Sequence, residues 1–219
     1  LPKPMNFFFL ACLFFYILAL VLGVNPIVGM IGALAYSFST YNPVIVAAGH
    51  DTQMLATAFM PLLMAGLISI YNKKYWLGLA LTTFGTYQEL SVNHFQVSYY
   101  FFLIAVLVTI GYLVKWIKEK DWKHIGLAGG LTVLAAVIGV AGNALVLMTT
   151  SEYSTYTMRG GKDISIEGDS VKKANTSGLD TSYAFEYSLG KAETFTLLMP
   201  NAFGRSEEHT SELQSPLNI

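Results

Sequence analysis

Residues 5–22, MNFFFLACLFFYILALVL, decide the class of fold, because Asn6 is the only amide or charged side chain among them. An α-helix rises about 1.5 Å per residue, so this stretch would span about 27 Å, close to the thickness of the hydrocarbon core of a bilayer. The whole chain agrees: 53% of its residues are hydrophobic and 12% are charged. A soluble domain carries about 25% charged residues. We therefore expect an all-α polytopic membrane protein.

Apolar segments of helical length recur along the chain and predict about six transmembrane helices. The second segment contains Gly, Ser and Pro residues and could be broken or re-entrant, whereas the fourth is short and cannot be distinguished from a buried helix by periodicity. Small residues in the second and sixth segments predict close helix–helix contacts. These residues are Gly29, Gly32, Ala33, Gly126, Gly129 and Gly130. The predicted spans are residues 5–22, 26–44, 52–71, 75–90, 92–114 and 124–148, which form a transmembrane domain over residues 1–148.

Two segments after residue 148 differ in composition from the apolar part. Residues 149–204 contain Gly160-Gly161, Gly168, the run NTSG at 175–178 and charges of both signs, which predicts an extracytoplasmic loop region with little regular structure. Residues 205–219 begin with RSEEHTSELQSP, which resembles the translation of a sequencing-library adapter, and we interpret them as a non-native tail. Because the first residue is not Met, we expect the chain to be an internal fragment of a longer protein.

The lysines predict the orientation in the membrane. Six of them lie in two short loops, residues 72–74 and 115–123, and short loops rich in Lys are cytoplasmic according to the positive-inside rule. The opposite, extracytoplasmic face then carries residues 45–51, residues 88–96 and the region after residue 148. The chain is therefore expected to cross a membrane several times, with both lysine loops in the cytoplasm.

This topology gathers polar side chains at the extracytoplasmic face. Asp51 and Glu89 are the only acidic residues between Pro4 and Ser151 outside the lysine loops, and each lies near a histidine in the sequence. Carboxylate and imidazole groups together can abstract a proton from a hydroxyl nucleophile. With amide oxygens they can also hold a divalent cation such as Mg²⁺ or Mn²⁺. The candidate catalytic residues are therefore Glu89, His94 and Asp51.

Structural roles compete with these functional ones. Asp51 directly precedes a helical run and is predicted to be its N-cap. If the helix that carries Glu89 continued without a break, Asn93 and His94 would lie on the same face. His94 or Arg159 would then be the nearest partner of the Glu89 carboxylate. Because both acids lie at a membrane face, nearby water is expected to lower the free energy of placing them there.

Several short motifs resemble those of the YfhO-like family of bacterial polytopic membrane proteins. Within the apolar part they are AYSFSTY at residues 35–41, AGH at 48–50, AFMPL at 58–62, NHFQ at 93–96 and YY at 99–100. Beyond it they are EYS at residues 152–154, TMRG at 157–160, GLD at 178–180, EYS at 186–188 and PN at 200–201. The resemblance covers nearly all of residues 1–204.

The resemblance implies a relation to the GT-C glycosyltransferases, which are multispanning proteins that use a polyprenyl-phosphate-linked sugar outside the cytoplasm. It implies transfer of that sugar to a cell-envelope acceptor, with inversion at the anomeric carbon. The candidate substrate-binding residues are His50, Asn93, Gln96 and Arg159, and the planar guanidinium of Arg159 suits a phosphate group. The main catalytic carboxylate of such enzymes would precede residue 1, so the fragment itself is expected to be inactive.

Two other functions remain open at this point: a transporter or flippase for a lipid-linked glycan, and a noncatalytic membrane scaffold. Transporters place ionisable groups near the middle of the membrane and use broken helices or inverted repeats. Here the ionisable groups are predicted at one face, and no repeat is visible. The expected partners are the lipid bilayer, a polyprenyl-phosphate sugar donor and a cell-envelope glycan acceptor. No sequence motif supports nucleic-acid binding.

Overall fold

The computed structural model describes residues 3–154, which form eight α-helices joined by short turns, with no β-strand in this range. The chain divides into two compact units, residues 1–150 and 151–219, and the helical bundle belongs to the first. The predictions for residues 155–204 and for the tail lie outside the described residues. The helices are α1 (Met5–Val21), α2 (Pro26–Ser37), α3 (Tyr41–Ala47), α4 (Asp51–Tyr71), α5 (Tyr75–Ser91), α6 (Phe95–Glu119), α7 (Trp122–Gly142) and α8 (Ala144–Ser154).

Three helices, α4, α6 and α7, are long and apolar enough to cross a membrane, and α1 is apolar but has only 17 residues. Large apolar side chains on α6 and α7 are widely exposed; Leu107 is 69% exposed and Val133 is 62% exposed. A soluble domain rarely exposes such a continuous apolar surface, whereas a bilayer solvates it. These helices agree with the membrane character predicted from composition.

The core of the bundle is the antiparallel pair α4 and α5, which pack through glycines. At Gly66, Gly78 and Gly85 the two backbones approach so closely that an added Cβ would clash with the partner helix. At Gly78 this Cβ would lie 2.5 Å from the backbone nitrogen of Ile70. Every residue of 61–71 is buried. The pair therefore provides the rigid frame on which the other helices pack.

Helix α7 packs against the other side of α5 and also uses glycines. Gly139 faces Thr86, and Gly142 faces the ring of Tyr87, in each case with an added Cβ at 2.7 Å. The spacing of small residues in the sequence did not predict contacts at these two glycines. The pair α5 and α7 runs in parallel, because the residue numbers rise together along the contact.

The close contacts predicted for the other glycines of α7 are wrong. An added Cβ at Gly126, Gly129 or Gly130 would meet nothing within 4 Å, because these residues lie on the exposed side of the helix. The prediction for α2 is confirmed: an added Cβ at Gly29 would lie 3.1 Å from the Ala19 side chain of α1. Sequence spacing alone does not indicate which face of a helix meets a neighbour.

The second predicted span, residues 26–44, is broken, which was one of the two alternatives for it. α2 ends at Ser37 and α3 begins at Tyr41. The buried amide of Asn42 donates hydrogen bonds to the carbonyl oxygens of Tyr36 and Ser37 at 2.9 and 3.1 Å. The break leaves carbonyl groups of α2 without helical partners, and Asn42 satisfies two of them.

The sixth predicted span, residues 124–148, is interrupted at Asn143. Its amide donates a hydrogen bond to the carbonyl oxygen of Tyr87 on α5 at 2.8 Å, which holds the junction between α7 and α8. The prediction that a loop begins at residue 149 is wrong, because α8 continues to Ser154. The apolar residues 144–148 form the first part of α8, and the helix continues through the more polar residues 149–154.

The loop predicted at residues 115–123 is shorter than expected, because α6 continues to Glu119. Lys and Glu are favourable helix residues, so the change from apolar to charged composition does not end the helix. It ends at Lys120, which adopts the left-handed conformation with φ of 58°. The Nζ of Lys73 lies 2.6 Å from Oδ2 of Asp121, so the two basic turns meet at one end of the bundle, here called the lysine end.

His124 joins four helices at the lysine end. It is 3% exposed; its Nε2 lies 2.9 Å from the carbonyl oxygen of Tyr71, and its Nδ1 lies 2.8 Å from the hydroxyl of Tyr75. A carbonyl oxygen can only accept, so Nε2 carries the proton. The ring of Trp116 on α6 packs edge-on at 4.6 Å. His124 is therefore explained by its structural contacts.

Candidate functional site

The opposite end of the bundle carries the polar residues that were predicted to converge, and we call it the Glu89 end. It comprises the starts of α1, α4 and α6 and the ends of α5 and α7. Oγ1 of Thr52 lies 3.4 Å from Nδ1 of His94, and Nζ of Lys3 lies 2.6 Å from Oδ2 of Asp51. These contacts confirm that the turns at residues 50–52 and 92–94 meet.

Glu89 is the most deeply buried acid of this end. It is 1% exposed, although α5 ends two residues later. Its Oε1 accepts a hydrogen bond from the Ser98 hydroxyl at 2.8 Å, whereas Oε2 has no hydrogen-bond partner within residues 3–154. The prediction that nearby water lowers the free energy of placing this acid at the membrane face is therefore wrong for Glu89. A buried carboxylate oxygen without a partner is destabilising, so it calls for an explanation.

The helix that carries Glu89 does not continue without a break, so the condition under which Glu89, Asn93 and His94 would share one helical face is not met. α5 ends at Ser91, Asn93 adopts a left-handed conformation with φ of 58°, and His94 precedes the first residue of α6. The chain therefore reverses direction before His94. His94 contacts Ser98 through its backbone: the carbonyl oxygen of His94, rather than its imidazole, lies 3.2 Å from Oγ of Ser98. The Ser98 hydroxyl therefore contacts both the His94 backbone and the Glu89 carboxylate.

Asp51 is not the N-cap that the sequence predicted. α4 begins at Asp51, so that His50 occupies the cap position and makes no side-chain cap hydrogen bond. A carboxylate in the first helical turn is favoured by the helix dipole, and here it also pairs with Lys3. These two interactions account for Asp51 structurally, and a catalytic role for it stays a prediction.

Three of the four candidate substrate-binding residues are exposed around this end. His50 and Asn93 lie in the turns, and Gln96 lies in the first turn of α6. Arg159, the fourth candidate and a proposed partner of Glu89, lies outside the described residues. The structure therefore places three of these side chains where a bound molecule could reach them.

A divalent cation was a further expectation from the sequence. Within residues 3–154 no group of three or more His, Cys, Asp or Glu side chains could hold a metal ion. The Asp51 carboxylate is already paired with Lys3, and the Glu89 carboxylate accepts from a hydroxyl. In the described part of the chain, Glu89 is therefore better suited to accept hydrogen bonds than to bind a metal.

Sequence reasoning missed the residues that hold Glu89 in place. Ser98 was not among the candidates, although a serine four residues after His94 in a mostly apolar helix was a usable signal. Asn143 bonds to the backbone of α5 two residues before Glu89. Polar side chains from α6 and from the junction of α7 and α8 thus contact the last two turns of α5.

Comparisons with protein-family models, with curated proteins and with solved structures found no match to this chain. The resemblance to the YfhO-like family therefore stays a prediction from the motifs quoted above.

Proposed function

We propose that this chain belongs to an integral membrane glycosyltransferase of the GT-C type. In this proposal the protein crosses a bacterial inner membrane six times, through α1, α2–α3, α4, α5, α6 and α7, with the lysine end in the cytoplasm. It transfers a sugar from a polyprenyl-phosphate-linked donor to a cell-envelope acceptor at the Glu89 end. The reaction class is proposed from the resemblance of the sequence motifs. The location of the site at this end of the bundle is supported by one observation, the buried Glu89 carboxylate.

The unpaired oxygen of Glu89 supports this role by its chemistry. A sugar offers several hydroxyl donors, and a carboxylate oxygen that lacks a partner is a strong acceptor for one of them. Ser98 fixes the other oxygen at 2.8 Å, so the carboxylate is oriented before the sugar binds. Glu89 is thus a positioning residue for the substrate.

The test is the substitution Glu89→Gln in the full-length protein. The amide oxygen can still accept from Ser98, but the second oxygen is replaced by a donor, and loss of a hydrogen bond to a charged acceptor reduces kcat/KM roughly ten- to a hundredfold. Transfer from a radiolabelled polyprenyl-phosphate sugar would be measured in liposomes. Glu119→Gln at the lysine end is the matched control and should retain full activity. Wild-type kinetics in Glu89→Gln would reduce Glu89 to a structural residue.

A flippase for a lipid-linked glycan is the second candidate, and the broken helices favour it. α2–α3 and α7–α8 are both interrupted, as helices in transporters often are. Both interruptions lie at the Glu89 end rather than halfway along the bundle, which favours the transferase. Release of free polyprenyl phosphate from a labelled donor discriminates the two functions, because a transferase cleaves the bond between phosphate and sugar and a flippase leaves it intact.

A further inference from the structure

A groove of about 370 Å³ lies at the lysine end, between the end of α4 and the second half of α6. Asn72, which follows α4, forms one side, and four residues of α6 form the other. The α6 residues are spaced at i, i+3, i+4 and i+7, so they form one stripe along the helix. They are Val108, Gly111, Tyr112 and Lys115.

The stripe changes from apolar to cationic towards the end of the bundle. Val108 and Gly111 provide an apolar floor, and an added Cβ at Gly111 would meet nothing within 4 Å. The ring of Tyr112 is fixed by Tyr71 at 5.1 Å and by Trp116 at 5.8 Å between ring centroids. The groove is therefore open and has one rigid aromatic wall, and Lys115 stands at its polar end.

The charge around this groove is strongly positive. The lysine end carries six lysines and two acids, and one acid, Asp121, is paired with Lys73. Lys115 takes part in neither of the two ion pairs found within residues 3–154. The helix dipoles largely cancel here, because α4 and α6 end at this end of the bundle while α5 and α7 begin at it.

We propose that this groove binds one anionic phospholipid of the bilayer. Its phosphate lies against the Lys115 ammonium and the Asn72 amide, and the upper part of an acyl chain lies along Val108 and Gly111. Basic pockets between membrane helices bind anionic head groups because the ammonium group and the phosphate attract each other at the membrane surface. The site lies at the opposite end from Glu89 and does not depend on the proposed transferase activity.

The test measures lipid retained by the purified chain in native mass spectrometry, with phosphatidylglycerol and phosphatidylcholine as probes. Gly111→Leu fills the groove without a clash, and Lys115→Gln removes its charge. We expect one phosphatidylglycerol per chain, held in preference to phosphatidylcholine. Lys115→Gln should lower its occupancy about fivefold, the effect expected for one lysine near an anionic surface. Gly111→Leu should lower it as well, because the leucine side chain occupies the space of the acyl chain.

Two matched controls make the result specific to the groove. Gly126→Leu places the same side chain at an equally open helical glycine of α7, and Lys123→Gln removes a charge from the same end of the bundle. Both controls should retain phosphatidylglycerol as the wild type does. Equal losses in controls and test variants would show diffuse surface charge and overturn the proposal. Equal retention of phosphatidylcholine, or conversion of a dimer to a monomer by Gly111→Leu, would overturn it as well.

Discussion

Glu89 illustrates how a carboxylate is held inside an apolar helical bundle. The last turn of α5 carries it into the protein, and the Ser98 hydroxyl from the next helix satisfies one of its oxygens. Removal of that hydroxyl would leave both oxygens without a partner in the described part of the chain. The interaction between Glu89 and Ser98 should therefore be measurable as a coupling between two substitutions.

Ser98→Ala should lower the free energy of unfolding by about 1–3 kcal/mol, because it leaves a buried charged acceptor unsatisfied. In a Glu89→Met background the same serine substitution should have a much smaller effect, since no carboxylate remains. Unfolding in mixed detergent, followed by circular dichroism, measures both values. Additive effects of the two substitutions would show that Ser98 and Glu89 act independently and would refute the coupling.

Asp121 combines two roles that can be separated by substitution. Its Oδ1 accepts from the backbone N–H of His124 as an N-cap of α7, and its Oδ2 pairs with Lys73. The hydrogen bond from Lys73 is the main reason why the pKa of Asp121 lies below its ordinary value. Asn is an equally good N-cap, so Asp121→Asn removes the charge and keeps the cap.

A lowered folded-state pKa means that the charge of Asp121 stabilises the fold above the ordinary aspartate pKa. This stabilisation is lost as pH falls through the lowered value. The difference in thermal midpoint between wild type and Asp121→Asn should thus be present at neutral pH and vanish in strong acid. Melting curves in detergent across that range provide the check. A difference that stays constant with pH would exclude the ion pair as its cause.

At the scale of elements, glycines set how closely the helices pack. The contacts of α4 with α5, and of α5 with α7, leave no room for a Cβ at several positions. Other glycines of similar spacing face open space. The same residue type therefore has opposite consequences, depending on which side of the helix it occupies.

Gly78→Ala should destabilise the bundle by about 1–3 kcal/mol, because the new methyl group meets the backbone of Ile70 and overpacks the contact. Gly111→Ala should be neutral or stabilise by up to about 1 kcal/mol, since alanine favours the helix and the site is open. Detergent unfolding curves compare the two variants. Equal stability of both would contradict the close packing of α4 against α5.

At the scale of the whole molecule, the helical bundle has two chemically different ends. The lysine end holds six lysines, and the Glu89 end holds the buried acid with the polar turns around it. The ion pair of Lys73 with Asp121 and the contact of Thr52 with His94 show that each end is assembled from separate turns. This division underlies the proposed orientation in the membrane.

Cysteine labelling tests that orientation. In a Cys12→Ala background, Ser91→Cys at the Glu89 end should react in intact cells with a maleimide that cannot cross the membrane. Glu119→Cys at the lysine end should react only after the membrane is permeabilised. Both residues are exposed, so access to the reagent and not burial decides the result. The reverse labelling pattern would invert the proposed topology.

The sequence by itself determined the features that depend on local composition: the helical class, the approximate position of most helices, and the concentration of six lysines in two short turns. Those features follow from the transfer of apolar side chains out of water and from hydrogen bonding within each helix. The tertiary structure alone decided that the sixth span breaks at Asn143, which glycines of α5 and α7 make contact, and which side chain binds the Glu89 carboxylate. These outcomes depend on residues far apart in the chain, such as Asn143 with Tyr87 and Gly139 with Thr86, and no local sequence pattern predicts that such residues meet.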